Sequence, residues 1–361
     1  MTLKQLNDVV SKFKIRGDVI SCEPYGDGHI NDTYLIITTR QKYIMQRVNT
    51  KVFADIDLLM NNIEKVLRYA AENIKAEGGD PDREAMTIIH TKEKERYLRY
   101  GDDCYRMYIF IDKTVSLNLA RDEKDFYEAG VAFGKFVRML DGFDASEVKD
   151  TIPDFHNTKK RFEKFLQTLE ADKLGRAKEV KKEIEFVLQR KDFCAKIVDK
   201  LESGELKSRV THNDTKLNNV LLDAKTGKSV AVIDLDTIMS GAVCYDFGDS
   251  VRFGCSTALE DEEDLSKVHF SLPLFEVYSK GFLGELKGVL DKEEIDSMPL
   301  GSLMMTFECG MRFLTDYLDG DNYFRVSKEK HNLIRCRTQF RLVEEMEKAY
   351  SKMLAIVRKY A

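Results

Sequence analysis

Two short runs near the start of the chain, DTYLIITT and KYIMQRV, are rich in β-branched and aromatic residues and flank the turn-like Thr39-Arg40-Gln41. They predict a hairpin. RYLRY and YRMYIFI, on either side of Gly101-Asp102-Asp103, predict a second one. Between the two, IDLLMNNIEKVLRYAAENIK carries Leu59, Ile63, Val66 and Leu67 at helical spacing. The first 114 residues therefore read as a sheet with one inserted helix. From about residue 115 the period becomes helical: Phe133, Phe136, Val137 and Leu140 mark one apolar face. The charged stretch from Lys173 to Glu202 predicts a further helix or pair, and HNLIRCRTQFRLVEEMEKAYSKMLAIVRKY a long closing helix. Short β-like runs return only in 209–237. With no repeat or Pro/Gly/Ser linker, the change of pattern predicts an α+β chain of two units, 1–114 and 115–361, meeting at a hinge.

Composition narrows the function. The chain has 361 residues, 43% of them hydrophobic, enough for a substantial core. Its 57 basic and 62 acidic residues leave a net charge of -5, with no basic excess for a phosphate backbone, so nucleic acid is not an expected partner. The stretch MTLKQLNDVVSKFKIRGD lacks the apolar core of a secretory signal, and no run approaches the roughly 18 apolar residues of a membrane span. A cytoplasmic protein is expected. The seven cysteines are scattered and never form a C-x-x-C pair, which predicts buried thiols rather than a disulfide framework or a zinc site.

The segment VTHNDTKLNNVLLDAKTGKSVAVIDLDT concentrates the chemistry. His212, Asp214 and Asn219 stand in the spacing H-x-D-x-x-x-x-N of the kinase catalytic loop. A tight loop of this kind presents a carboxylate to an acceptor hydroxyl while an amide a few residues later reaches a metal from the same side. NVLLD and SVAVID then flank Ala224-Lys225-Thr226-Gly227 as a hairpin. The fold-back returns Asp234 to the catalytic loop, which makes it the expected metal ligand, with Asp236 as a second. The literal D-F-G triplet at Asp246 comes twelve residues later, and hairpin geometry does not bring it to the same place. Asp246 is expected to tie down its loop. His212 is expected to orient, and Lys216 to steady the transferred group.

These motifs resemble the aminoglycoside phosphotransferase and choline kinase superfamily, which shares a bilobed fold with protein kinases. Across GHINDTY, YIMQRVN, THNDTKLNNV, VIDLDT, YDFGDSVRFG and ECGMRFLTDYL the chain is similar to the N-acetylhexosamine 1-kinase group. The resemblance implies a β-rich nucleotide lobe, a mainly helical catalytic lobe, ATP and Mg2+ as partners of the reaction, and a sugar acceptor. In a kinase-like fold, Gly26 and Gly28 would let the backbone approach the phosphates. The strand KYIMQRV has no V-A-I-K lysine; its available cation is Arg47, with Glu64 on the following helix as partner. Adenine would meet the hinge at Phe110, Ile111 and Asp112. In ECGMRFLTDYLDGDNYF, Arg312, Asp316, Tyr317 and Tyr323 are the candidate acceptor residues. Arg312 and Asp316 are four apart, so an intrahelical ion pair competes with Arg312 and Tyr323 holding a sugar. A choline-type or antibiotic kinase using the acidic run EDEEDL, and a non-catalytic protein with the same fold, are the alternatives.

Overall fold

The computed structural model describes residues 3–26 and 30–361. Helix α1 (Leu3–Ser11) precedes strands β1 (Val19–Pro24), β2 (Asp32–Thr38) and β3 (Lys42–Val48), and then the long helix α2 (Ile56–Ala76). Strands β4 (Leu98–Tyr100) and β5 (Asp103–Ile109) complete an antiparallel five-stranded sheet in the order β1-β2-β3-β5-β4. Both predicted hairpins form. Gly101, with φ 61, makes the second turn, a conformation that glycine adopts without Cβ strain.

Period-2 alternation gives the sheet two different faces. Cys22, Ile36, Tyr43, Met45, Tyr105 and Met107 pack under α1 in a small core of their own. The opposite face carries Gln46 and Arg106, cross-strand neighbours in the β3–β5 register. Strand β6 (Thr114–Val115) leaves the sheet and pairs instead with β8 (Val220–Asp223), which pairs with β9 (Ser229–Val232). Strand β7 (Arg209–Thr211) pairs with β10 (Met239–Gly241), a strand that the sequence pattern does not reveal.

The rest is helical: α3 (Glu123–Met139), α4 (Thr158–Ala171), α5 (Val243–Gly254), α6 (Leu272–Gly284), α7 (Met298–Asp319) and α8 (His331–Tyr360), with shorter helices between. The closing helix spans the predicted 30 residues. The stretch from Lys173 to Glu202 breaks into Lys181–Leu188 and Lys196–Glu202, joined by short 3-10 turns. One large core runs through α2 and α3 to α8. Helices α5 and α7 cross closely enough that a Cβ on Gly248 would lie 2.4 Å from the carbonyl oxygen of Gly301. The architecture is α+β and bilobed: a sheet-based first part, a helical second part.

Candidate active site

The H-x-D-x-x-x-x-N loop lies between β7 and β8, and its conformation is imposed from below. His212 is fully buried, edge-on to Phe133 and Phe136 of α3. Its Nε2–H donates to the Ile233 carbonyl at 2.9 Å, and its Nδ1 accepts from the Asp214 amide at 3.3 Å. Both ring nitrogens are thus spent on backbone, which leaves the ring no proton to exchange with an acceptor. Asn213 takes a left-handed φ of 63 and donates from Nδ2 to the Thr237 carbonyl at 2.8 Å. Strain of this kind persists where the surroundings over-determine it.

Asp246 supplies that determination. It is 1% exposed, and its two oxygens accept from the amides of His212 (2.8 Å) and Asn213 (2.7 Å). The expectation that it anchors its own loop is corrected in one respect: it sits in the first turn of α5 and holds the catalytic loop, 33 and 34 residues away. The other two residues of the literal triplet are also structural, Phe247 in the core and Gly248 at the α5–α7 crossing. Asp246→Ala leaves two buried amides without acceptors, at a cost on the order of 3 kcal/mol. A melting temperature lower by several degrees is expected; an unchanged one would contradict the anchoring role.

Above this base, the Asp214 side chain is partly exposed. Its Oδ1 contacts Lys216 Nζ at 2.6 Å, and its Oδ2 accepts from Asn219 Nδ2 at 3.1 Å. Burial works against the charge on Lys216, but Asp214 and Asp249 outweigh it and raise its pKa, so the side chain stays cationic. Asn219 also donates to the Asp214 main-chain oxygen at 2.8 Å, so both of these contacts are made by its Nδ2 and its Oδ1 is not used in them. Asp234, at φ 62 just past β9, returns beside this loop as the hairpin predicts, since the Ile233 amide bonds to the Asn219 carbonyl at 2.9 Å. No donor among the described residues reaches the Asp234 carboxyl, which stays half-buried. Burial, then the neighbouring Asp236 and Asp214 carboxylates, push its pKa up to about 6.

A carboxylate without a protein donor, repelled by two others and close to the Asn219 segment, suits a divalent cation. Among the described residues no three His, Cys, Asp or Glu side chains are placed to hold a metal alone. Magnesium-type sites are held by one or two carboxylates together with water and substrate phosphates. Asp236 is different. Its Oδ2 accepts from Asn31 Nδ2 at 2.7 Å and its Oδ1 lies 2.5 Å from Arg106 Nη1, so both oxygens face protein cations or donors. Asp236, expected as a second metal ligand, is engaged by these two partners.

The expected Arg47–Glu64 pair does not form. Arg47 shares the α1-covered face with Tyr43 and Met45 and binds Asp32 and Asp103 at its edge. Glu64 is held by His90 at 2.8 Å and by Arg96. The reason is parity: one residue along a strand reverses the face. The cleft side at this point carries Gln46 and, beside it, Arg106. Gly26 has φ 75, the left-handed conformation that favours glycine; Gly28 lies outside the described residues. At the crossing, the Phe110 amide donates to the Lys42 carbonyl, while the Ile111 and Asp112 carbonyls accept from Thr114 and Arg83. Among the described residues the Phe110 carbonyl and the amides of Ile111 and Asp112 have no partner.

Of the four candidate acceptor residues, two converge. The chain leaves α7 through Gly320 and turns back, so that Tyr323 Oη lies 3.4 Å from Arg312 Nη2. Phe155, Tyr323 and Phe324 surround the guanidinium at 5.4–5.9 Å. Asp316 is not its ion-pair partner. It accepts from the amides of Asn322, Tyr323 and Phe324 and from Asn332 Nδ2, and so makes the turn that presents Tyr323. Tyr317 is buried against Arg176 and donates to Glu179 at 3.4 Å. Aromatic contacts connect the Arg312 cluster to the catalytic loop: Phe155 meets His156, whose ring packs on Tyr245 beside Asp246. His156 Nδ1 also contacts the buried Glu308 at 3.0 Å. His156, Glu308, Arg106 and Asn31 are not among the expected site residues, although Asn31 and Glu308 lie within GHINDTY and ECGMRFLTDYL. A cavity of about 660 Å³, lined by Phe126, Lys216, Arg252, Leu259, Glu260 and Gln339 among others, opens on the other flank of Lys216. Glu260, the first carboxylate of EDEEDL, is paired there with Arg252 at 2.8 Å, and Glu262, which also lines the cavity, lies 3.8 Å from Lys267.

A family model described as "Phosphotransferase enzyme family" matches residues 21–272, well over half of the chain. The chain belongs to this phosphotransferase family. Solved structures similar to this phosphotransferase include a microcompartment-associated aminopropanol kinase (TM-score 0.60, 14% identity, 98% of each chain covered). A choline kinase from Cryptosporidium parvum (0.57, 13%, 99% of each) is another. A third is a spectinomycin phosphotransferase solved with ADP and spectinomycin (0.55, 13%, covering 98% of this chain and 99% of that one). At these identities the likeness establishes the kinase-like fold. No described helix of the phosphotransferase is long and apolar enough to cross a membrane.

Proposed function

We propose that the protein transfers the γ-phosphoryl group of ATP to the anomeric hydroxyl of an N-acetylhexosamine, N-acetylglucosamine or N-acetylgalactosamine, giving the sugar 1-phosphate. Residues 1–114 form its nucleotide lobe and 115–361 its catalytic and acceptor lobe. The family membership supports phosphoryl transfer, and the structures of relatives with ADP support a nucleoside triphosphate as donor. The observation that carries the acceptor assignment is the convergence of Arg312 and Tyr323, a fork of donors and a phenol in an aromatic surround. Such a site recognises hydroxyl and acetamido oxygens while the rings cover the apolar face of a sugar.

The chemistry asks little covalent work of the protein. The acceptor hydroxyl is oriented by Asp214 and loses its proton to that carboxylate as its oxygen bonds the γ-phosphorus, while the bond to the ADP oxygen breaks. Lys216 lies against the same carboxylate and balances charge beside the transferred group. Asn219 and Asp234 would hold Mg2+, which supplies charge neutralisation on the phosphates. Adenine would meet the free Phe110 carbonyl and the Ile111 and Asp112 amides. The methyl glycoside of the sugar, which lacks the reacting hydroxyl, is expected to be inert while the reducing sugar is consumed. Its phosphorylation at a comparable rate would refute anomeric transfer and favour a 6-kinase or an antibiotic-type enzyme.

A further inference from the structure

We propose that Arg106, carried by β5, is the cation that the sheet presents to the nucleotide phosphates, with Asp236 as its positioning partner. The inference rests on the phosphotransferase reading. Strand parity puts Arg47 on the wrong face and places Gln46, a neutral residue, opposite Arg106, while Lys42 at the start of the same strand is paired with Asp112 at 2.6 Å. Gln46 instead fixes the cation from the next strand: its Oε1 accepts from Arg106 Nε at 3.0 Å and from Nη2 at 2.8 Å, while its Nε2 donates to Thr33 Oγ1 at 3.2 Å. The guanidinium lies against the Tyr108 ring at 5.5 Å and is 1% exposed.

The centre of this network is an ion pair: Arg106 Nη1 and Asp236 Oδ1 lie 2.5 Å apart. A buried charge pair is retained at a cost unless its remaining donors are satisfied. Of the five guanidinium N–H groups, two go to Gln46 and one faces Asp236, which leaves one on Nη1 and one on Nη2. That planar remainder suits a bridging pair of phosphate oxygens.

Position agrees with this chemistry. Arg106 lies close enough to Asp234 to oppose the effect of burial on that carboxyl, so the cation and the metal-type site share one region of the cleft. Asp236 also binds Asn31, whose Oδ1 accepts from the Asn49 amide at 3.0 Å. One carboxylate thereby joins β5, the segment after the Gly26 turn, and the segment after β9. Entry of the triphosphate opens the Asn31 contact and gives Nη1 a phosphate oxygen in place of Asp236.

Binding of adenosine and of a non-hydrolysable ATP analogue, measured by calorimetry in EDTA and in Mg2+, separates phosphate contacts from adenine and metal contacts. For Arg106→Gln we expect adenosine affinity within about twofold of the native value and analogue affinity in EDTA reduced about tenfold or more, as for loss of a hydrogen bond to a charged group. Equal effects on both ligands, or none on the analogue, would overturn the proposal. Asp236→Asn keeps the cation and removes its competitor, so it decides the matter if Arg106→Gln does not fold. Undiminished or tighter binding in EDTA supports the assignment; a loss confined to Mg2+ would make Asp236 a metal ligand and overturn it. If the native protein binds neither ligand, the phosphotransferase reading falls as well; if it binds both and the variants do not discriminate, only the role of Arg106 falls.

Discussion

Asp214→Asn is expected to fold, to bind nucleotide and to turn over about 10²- to 10⁴-fold more slowly than the native protein, the range for loss of a positioned general base. The substitution is nearly isosteric. It keeps an oxygen for Asn219 Nδ2 or Lys216 Nζ, now 3.1 and 2.6 Å from the carboxylate. The buried scaffold below, with Asp246 on the His212 and Asn213 amides, is untouched. What disappears is the site that takes the hydroxyl proton, and with it the charge that Lys216 balances. A melting curve like the native one, together with the rate loss, is therefore the expected pair of results. Turnover within a few-fold of native would remove Asp214 from the chemistry.

Asp234→Ala is expected to abolish the saturable dependence of activity on Mg2+ and to lower turnover by a similar order, because Asn219 alone offers a single neutral oxygen to the ion. The same carboxyl gives a pH signature. Its pKa in the unliganded protein is raised, to about 6, by burial and by Asp236 and Asp214. Protons therefore compete with the cation below that value, and the apparent Mg2+ affinity should rise as pH increases through about 6 and level off above it. The stability sign is the opposite. The folded protein holds the proton more tightly than the unfolded chain does, so Asp234 stabilises the unliganded fold at low pH and that contribution is lost as pH rises through about 6. Calorimetric Mg2+–nucleotide titrations between pH 5 and 8 check the first, melting curves without metal the second. An affinity that is flat across this range would contradict an open Asp234 ligand.

Much of the fold was legible because the signals are local. Alternation revealed both hairpins of the five-stranded sheet, and a 3.6 period revealed α2 and the closing helix to its ends. The H-x-D-x-x-x-x-N loop and the hairpin to Asp234 are likewise continuous in sequence, so the fold-back could be deduced without a structure. Failures came where one residue of parity or a distant partner decides. Arg47 looks like the available cation in KYIMQRV, but Tyr43 and Met45 place it on the α1-covered face; the alternation in YRMYIFI, with Tyr105 and Met107 inward, was the signal that turns Arg106 to the opposite face. The pairing of Arg106 with Asp236 spans 130 positions, and no local pattern announces it. Asp316 looked like the helical partner of Arg312 because i,i+4 spacing is local; the turn after Gly320 gives it backbone amides instead.

The most direct test of phosphoryl transfer to a sugar hydroxyl is ³¹P NMR of the native protein incubated with ATP, Mg2+ and N-acetylglucosamine or N-acetylgalactosamine. The account predicts ADP together with a new phosphomonoester signal coupled to the anomeric proton, in equal amounts. ADP accompanied only by inorganic phosphate, or ATP left unconsumed with every free sugar, amino sugar and aminoglycoside offered, would contradict it.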